Sequence, residues 1–138
     1  MSQNPDRTLV QWAELLSSHH TENFLSLFTD DCVYEDVAFG VVNHGRNELR
    51  AFIDGIFAAF PDFHIDLRSQ HVAGERGAME WVMRGTHHGD LPGVPATHKA
   101  FSIRGATIVE FDHEKIRRNS DYWDVSAFLK QVGLMPNT

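Results

Sequence analysis

Three successive runs of alternating apolar and polar residues in the second half of the chain constrain its fold most. Phe63, Ile65 and Leu67 alternate with His64, Asp66 and Arg68, the pattern of a half-buried strand. Gly74-Glu75-Arg76-Gly77 predicts a hairpin turn, and Ala78 to His88 the return strand. Met79, Trp81, Met83, Gly85 and His87 share one face of that strand; Glu80, Val82, Arg84, Thr86 and His88 share the other. Gly89 to Thr97, with two prolines and two glycines, reads as a flexible rim loop. Phe101 to Phe111 is a long strand with Phe101, Ile103, Gly105, Thr107, Val109 and Phe111 on one face. Asp112-His113-Glu114 turns it into a last strand, Lys115 to Asp124. Strands joined by hairpins predict an antiparallel sheet, and Gly85 and Gly105 inside them predict a bend.

The first half reads differently. Met1 to Asp6 is polar and expected to be loose. Leu9, Val10, Trp12, Ala13, Leu15 and Leu16 follow a helical spacing, which Ser17-Ser18-His19-His20 breaks. Thr21 is a candidate cap for a second short helix with Phe24, Leu25, Leu27 and Phe28 buried. Cys32 to Val37 predicts a strand with Tyr34 and Asp36 on one face, and Phe39 to Val42 another. A third helix is expected from about Arg46 to Phe60, stopped by Pro61-Asp62. Its face carries Leu49, Phe52, Ile53, Ile56, Phe57 and Phe60. A short fourth helix follows Asp124, with Phe128, Leu129 and Val132 at helical spacing and Gly133 as its stop. Helices first and hairpin-linked strands later make an α+β layout. A bent sheet closed by helices makes a cone with an apolar interior, a plausible small-molecule site.

Composition narrows the partners. At 138 residues the chain suits one domain over 1–138, with 42% hydrophobic residues to fill a core. A formal net charge of −7 argues against a nucleic-acid backbone and an anionic membrane surface. Cys32, the single cysteine, excludes an intrachain disulfide and reads as a small core residue. With no signal-like or membrane-length apolar segment, the expectation is a soluble cytoplasmic protein. His87, His88 and His98 invite a metal reading, but adjacent strand residues point to opposite faces and no His/Asp/Glu set has familiar spacing. With no Gly-rich phosphate loop either, no metal and no cofactor are expected.

Three stretches together resemble one family. Gly45-Arg46-Asn47-Glu48-Leu49 opens a helix ending in Phe60-Pro61-Asp62. Gly85-Thr86-His87-His88-Gly89 leads through Leu91-Pro92-Gly93-Val94-Pro95-Ala96-Thr97 to Phe101-Ser102. Lys115-Ile116 precedes Asp121, Asp124 and Leu129-Lys130-Gln131-Val132-Gly133. In this order and spacing they resemble the SnoaL-like polyketide cyclases of the NTF2-like superfamily. The resemblance implies an NTF2-like cone: a curved antiparallel sheet, three helices from the first half and a short C-terminal helix around a pocket. It also implies a homodimer and an intramolecular aldol ring closure without a cofactor. The family's acid/base aspartate falls on Asp121. Its partner histidine falls at Thr107, where histidine is absent.

Each candidate has a functional and a structural reading. Asp121 is either a base in an apolar pocket or a strand-end charge in water. Asp124 is more simply the cap of the last helix. Asp36 and Tyr34 either face the pocket, with Tyr34 donating to a developing enolate, or form a satisfied strand-edge pair. His87 either replaces the missing histidine or sits exposed on the rim. Trp81, Met83, Phe101, Thr107 and Trp123 are expected to wall the pocket, or to be ordinary core. The leading reading is a cyclase- or isomerase-type enzyme acting on an apolar, carbonyl-bearing small molecule with Asp121 as general acid/base. The alternatives are an epoxide-hydrolase-like enzyme using Asp36, Arg84 and Asp121, with Arg84 on the wrong face, and a non-catalytic binding module, which the loss of histidine at position 107 favours.

Overall fold

The structure is a computed structural model that describes residues 4–136. Helix α1 (Pro5–Ser17) starts earlier than its apolar pattern suggests, because Asn4 caps it. The Asn4 side chain accepts the Arg7 N–H at 2.8 Å, and Pro5 takes the first helical position, where its missing N–H costs nothing. The expected loose start is therefore helical from Pro5; Met1 to Gln3 lie outside the described residues. Leu9, Trp12, Ala13 and Leu16 form its buried stripe.

Helix α2 (Thr21–Leu25) is shorter than expected. Thr21 is its first residue, not its cap, and gives its hydroxyl to Asp54 at 2.8 Å. Phe28 leaves the helix and opens strand β1 (Phe28–Asp36), where it pairs with Ile116. A buried aromatic suits a helix face and a strand face equally, so spacing alone misassigned it. Residues 37–40 form a turn, with Gly40 at φ +70°, and β2 (Val41–His44) begins later than the expected Phe39. Helix α3 (Gly45–Ala59) follows, its buried stripe set by Leu49, Ile53 and Ala59.

Strands β3 (His64–Ala73), β4 (Arg76–Thr86) and β5 (Ala100–Asp112) are hairpin-linked neighbours, and β6 (Lys115–Trp123) returns beside β5. Helix α4 (Val125–Gln131) closes the chain. The sheet order is β2-β1-β6-β5-β4-β3. Every pairing is antiparallel except β1 with β6, which is parallel. Antiparallel partners need only a short turn, whereas this parallel pair is bridged by everything from β2 to β5. Register shifts at Leu67/Ser69 and Glu110/Phe111 bend the sheet around the helices. The core between them is one cluster, from Trp12 and Phe24 through Trp81 and Phe101 to Phe128.

Cys32 is buried in that core, and burial pushes its thiol up, away from the nucleophilic thiolate. Among the described residues no helix is long and apolar enough to cross a membrane. No group of three or more His, Cys, Asp or Glu among them is placed to hold a metal ion.

Candidate active site

The parallel pair β1–β6 builds the site. Its register sets Tyr34 beside Asn119 and Asp36 beside Asp121. Alternation along each strand sends Tyr34, Asp36, Asn119, Asp121 and Trp123 to the inner side of the sheet. Tyr34, Asp36, Asp121 and Trp123 there meet a cavity lined almost entirely by apolar side chains, with an empty space of about 570 Å³ that includes open solvent at its mouth. Helix α1 contributes Trp12 and Leu16, and α3 contributes Phe52, Ile53 and Ile56. Trp81, Met83 and Phe101 line it from the sheet, and α4 contributes Phe128. Phe39, from the β1–β2 turn, packs edge-on against Trp123 with ring centres 4.8 Å apart.

Asp121 is 6% exposed and faces this cavity. Its Oδ1 accepts the Thr107 hydroxyl at 2.6 Å and the Asn119 amide at 2.9 Å; its Oδ2 accepts the Tyr34 hydroxyl in a short bond. Two of these three donors are themselves held from behind. Trp81 Nε1 donates to Thr107 Oγ1 at 2.8 Å, and Trp12 Nε1 donates to Asn119 Oδ1 at 3.0 Å. Burial nonetheless wins over the three donors. Desolvation, with a smaller push from the Asp36 charge, drives the Asp121 carboxyl up to about 7. The Tyr34 hydroxyl is pushed well above its ordinary value, first by burial and then by Asp121, so it stays a neutral donor.

Asp36, also 6% exposed, accepts the Phe39 N–H at 3.0 Å. The Trp123 indole N–H reaches both of its oxygens, at 3.1 and 3.2 Å. Burial raises its pKa, and those two donors oppose the rise.

The other expected site residues fall elsewhere. Thr107 is fully buried and stands behind Asp121, so it holds the carboxylate and does not line the cavity. Asp124 is exposed and caps α4, accepting the Ala127 N–H at 3.1 Å and the Ser126 hydroxyl at 2.7 Å. Those bonds hold its carboxyl below the usual range. It takes no part in the cavity.

His87 corrects both of its readings: it is neither on the rim nor in the cavity. The loop folds back over it. His98 N–H donates to the His87 carbonyl at 2.8 Å, and Thr97 N–H reaches His87 Nδ1 at 3.3 Å. The buried ring packs behind Phe60, and desolvation lowers its pKa. Arg84 lies on the outer face, 2.5 Å from Asp66, which removes the arginine that an epoxide-opening site needs.

Two polar participants escaped the list of expected site residues: Asn119 and Trp12. Asn119 was signalled by standing two residues before Asp121 on one strand. Trp12 had no such signal, because its polar edge is invisible in a helical apolar stripe.

A curved six-stranded sheet wrapped on helices is the ketosteroid isomerase-like, NTF2-like fold. Within that class, the chain belongs to the SnoaL-like polyketide cyclase family, whose sequence model matches residues 7–132. Cyclase aurE of Calcarisporium arbuscula is 31% identical over 99 residues, covering 71% of this chain and 70% of that protein. Among solved structures, a hypothetical protein with a ketosteroid isomerase-like fold from Catenulispora acidiphila DSM 44928 is similar at a TM-score of 0.83 and 24% identity, covering 96% of each chain. A proposed SnoaL-like polyketide cyclase from Jannaschia sp. CCS1 is similar at a TM-score of 0.84 and 14% identity, covering 99% of each. At these identities the two structures speak for the fold alone.

Proposed function

We propose that this chain is a cyclase- or isomerase-type enzyme that moves protons within an apolar, carbonyl-bearing small molecule, with Asp121 as the general base. One observation carries the reading: the buried Asp121 carboxyl faces an apolar cavity and no Lys or Arg among the described residues pairs with it, so that desolvation raises it to about 7. A carboxylate in water is a weak base; one that burial has raised to the working pH takes a proton from carbon far more effectively. Thr107, where the family resemblance puts the partner histidine, hydrogen-bonds the carboxylate, which fixes its orientation without adding a second base at that point. Membership of a cyclase family and the cyclase name of a relative support the same class of activity.

The test uses β-tetralone, an apolar ketone with acidic α-protons, followed by NMR as it exchanges those protons in heavy water. The native protein should accelerate exchange over buffer, and Asp121→Asn should lose about 100-fold or more of that acceleration. A ligand that raises Tm but is never converted or exchanged, whatever the ketone, supports the binding-module reading instead.

A further inference from the structure

The cavity has no hydrogen-bond donor to spare. Among the described residues, the side chains lining it carry four N–H or O–H groups: the indoles of Trp12, Trp81 and Trp123 and the Tyr34 hydroxyl. Trp12 is committed to Asn119, Trp81 to Thr107, Trp123 to Asp36 and Tyr34 to Asp121. All four support the two aspartates directly or at one remove. A carbonyl losing an α-proton develops negative charge on its oxygen, and an apolar cavity leaves that charge unstabilised unless a donor meets it. The one kind of donor such a wall still holds is the proton of a carboxyl.

We propose that Asp36 is the second proton-carrying group of this site: it shares one proton with Asp121 and gives it to the substrate oxygen while Asp121 takes the proton from carbon. This rests on the reading of Asp121 as base.

The geometry supplies the pair. Asp36 and Asp121 are register partners on adjacent parallel strands, both face the cavity and both are 6% exposed. Like charges so placed do not ionise together easily, so the pair keeps one proton over a range of pH; that proton rests mostly on Asp121, the more strongly raised of the two, and the reactive form is the one that carries it on Asp36. Asp36 leaves its Oδ2 tied only by the longer arm of the shared Trp123 bond, at 3.2 Å. Among the described residues the cavity lining adds no other charge. From α1, α3, β3, β4, β5 and α4 the cavity receives only apolar and indole side chains, and its one further ionisable group is Tyr34. Glu35, between Tyr34 and Asp36, pairs instead with Arg118 at 3.4 Å.

The protons balance. In the first step the C–H bond breaks, its proton goes to Asp121, the electron pair forms the enol double bond, and the Asp36 proton goes to oxygen. In closure the enol carbon bonds to a second carbonyl carbon. The new alkoxide takes the Asp121 proton and the enol O–H returns its proton to Asp36. Both carboxyls end as they began, and nothing is oxidised or reduced.

Two measurements test this. The first needs no ligand: NMR titration of the aspartate carboxyl carbons. Asp36 and Asp121 should each titrate in two shared steps, and Asp36→Asn should move the Asp121 midpoint downward by removing a neighbouring charge. Independent single steps, with no shift in Asp36→Asn, overturn the proposal. The second is the pH profile of β-tetralone exchange. The native protein should give a bell, because one carboxyl must be ionised and the other protonated. Asp36→Asn keeps a neutral N–H donor, so it should retain part of the exchange, roughly a tenth or more, and lose the alkaline limb. Asp36→Leu, which has no donor, should fall further. An unchanged bell in Asp36→Asn leaves Asp36 a positioning residue and overturns its proton transfer. Full exchange in Asp121→Asn defeats the underlying reading of Asp121 instead, so the two failures are distinguishable.

Discussion

Asp121 ties the stability of the fold to pH. Its folded pKa, about 7, lies above the ordinary carboxylate value, so between the two the folded chain binds a proton that the unfolded chain has lost. The stabilisation is full below about pH 4 and is lost as pH rises through about 7, a change on the order of 4 kcal/mol. Asp121→Asn has no such proton. Its stability relative to the native protein should therefore rise across that window, read as the difference in urea midpoints at each pH. Thr107 offers a finer probe. Thr107→Val keeps the shape and removes one of three donors to the carboxylate. The Asp121 pKa should climb, shifting the pH profile of β-tetralone exchange to higher pH. The orphaned Trp81 N–H should cost about 1–3 kcal/mol of stability. At this scale the inward side of β6 was legible, because Asn119, Asp121 and Trp123 alternate. What Thr107 and His87 do was not. Thr107 serves a strand neighbour, and His87 is covered by a loop ten residues on, and neither relation leaves a period in the sequence.

Among the elements, β4 and β5 pair where Gly105 stands opposite Trp81 and lies against its ring. A Cβ at Gly105 would overlap that ring and crowd the Tyr122 carbonyl, at 2.9 Å. Gly105→Ala should push the indole off Thr107, destabilise the protein by about 1–3 kcal/mol and reduce exchange even in the surviving folded fraction. Circular dichroism and exchange per folded molecule would check both parts. The glycine was read in the sequence as a bend; its closer duty is to leave room for Trp81. Local patterns otherwise carried far. The stripes of α1 and α3 and the β3–β4 hairpin repeat over a few residues, so a short window holds them. The parallel pairing of β1 with β6 does not, since partners 85 positions apart share no window, as Asp36 and Asp121 show.

Across the whole molecule, the helices cover one side of the sheet and leave the other open. Ile108 and Tyr122 are 43% and 48% exposed there, beside Arg84 and Arg104. We propose that this face pairs with a second copy by a two-fold axis, the arrangement expected from the alternation of these strands. Light scattering at micromolar concentration should give twice the mass of the chain, and Ile108→Arg should halve it without unfolding the protein. A monomeric native protein would refute the pairing.

The insertion of β6 between β1 and β5 also has a meaning for synthesis. A ribosome delivers the first strand early and the last strand late, so a nascent chain holds β1–β2 and β3–β4–β5 as two separate pieces of sheet. Tyr34 and Asp36 then wait in water without their partners. Only the arrival of residues 115–123 joins the pieces, and the same event creates the charged centre of the cavity. A product interrupted before that point lacks both the seam and Asp121, the partner that register sets beside Asp36.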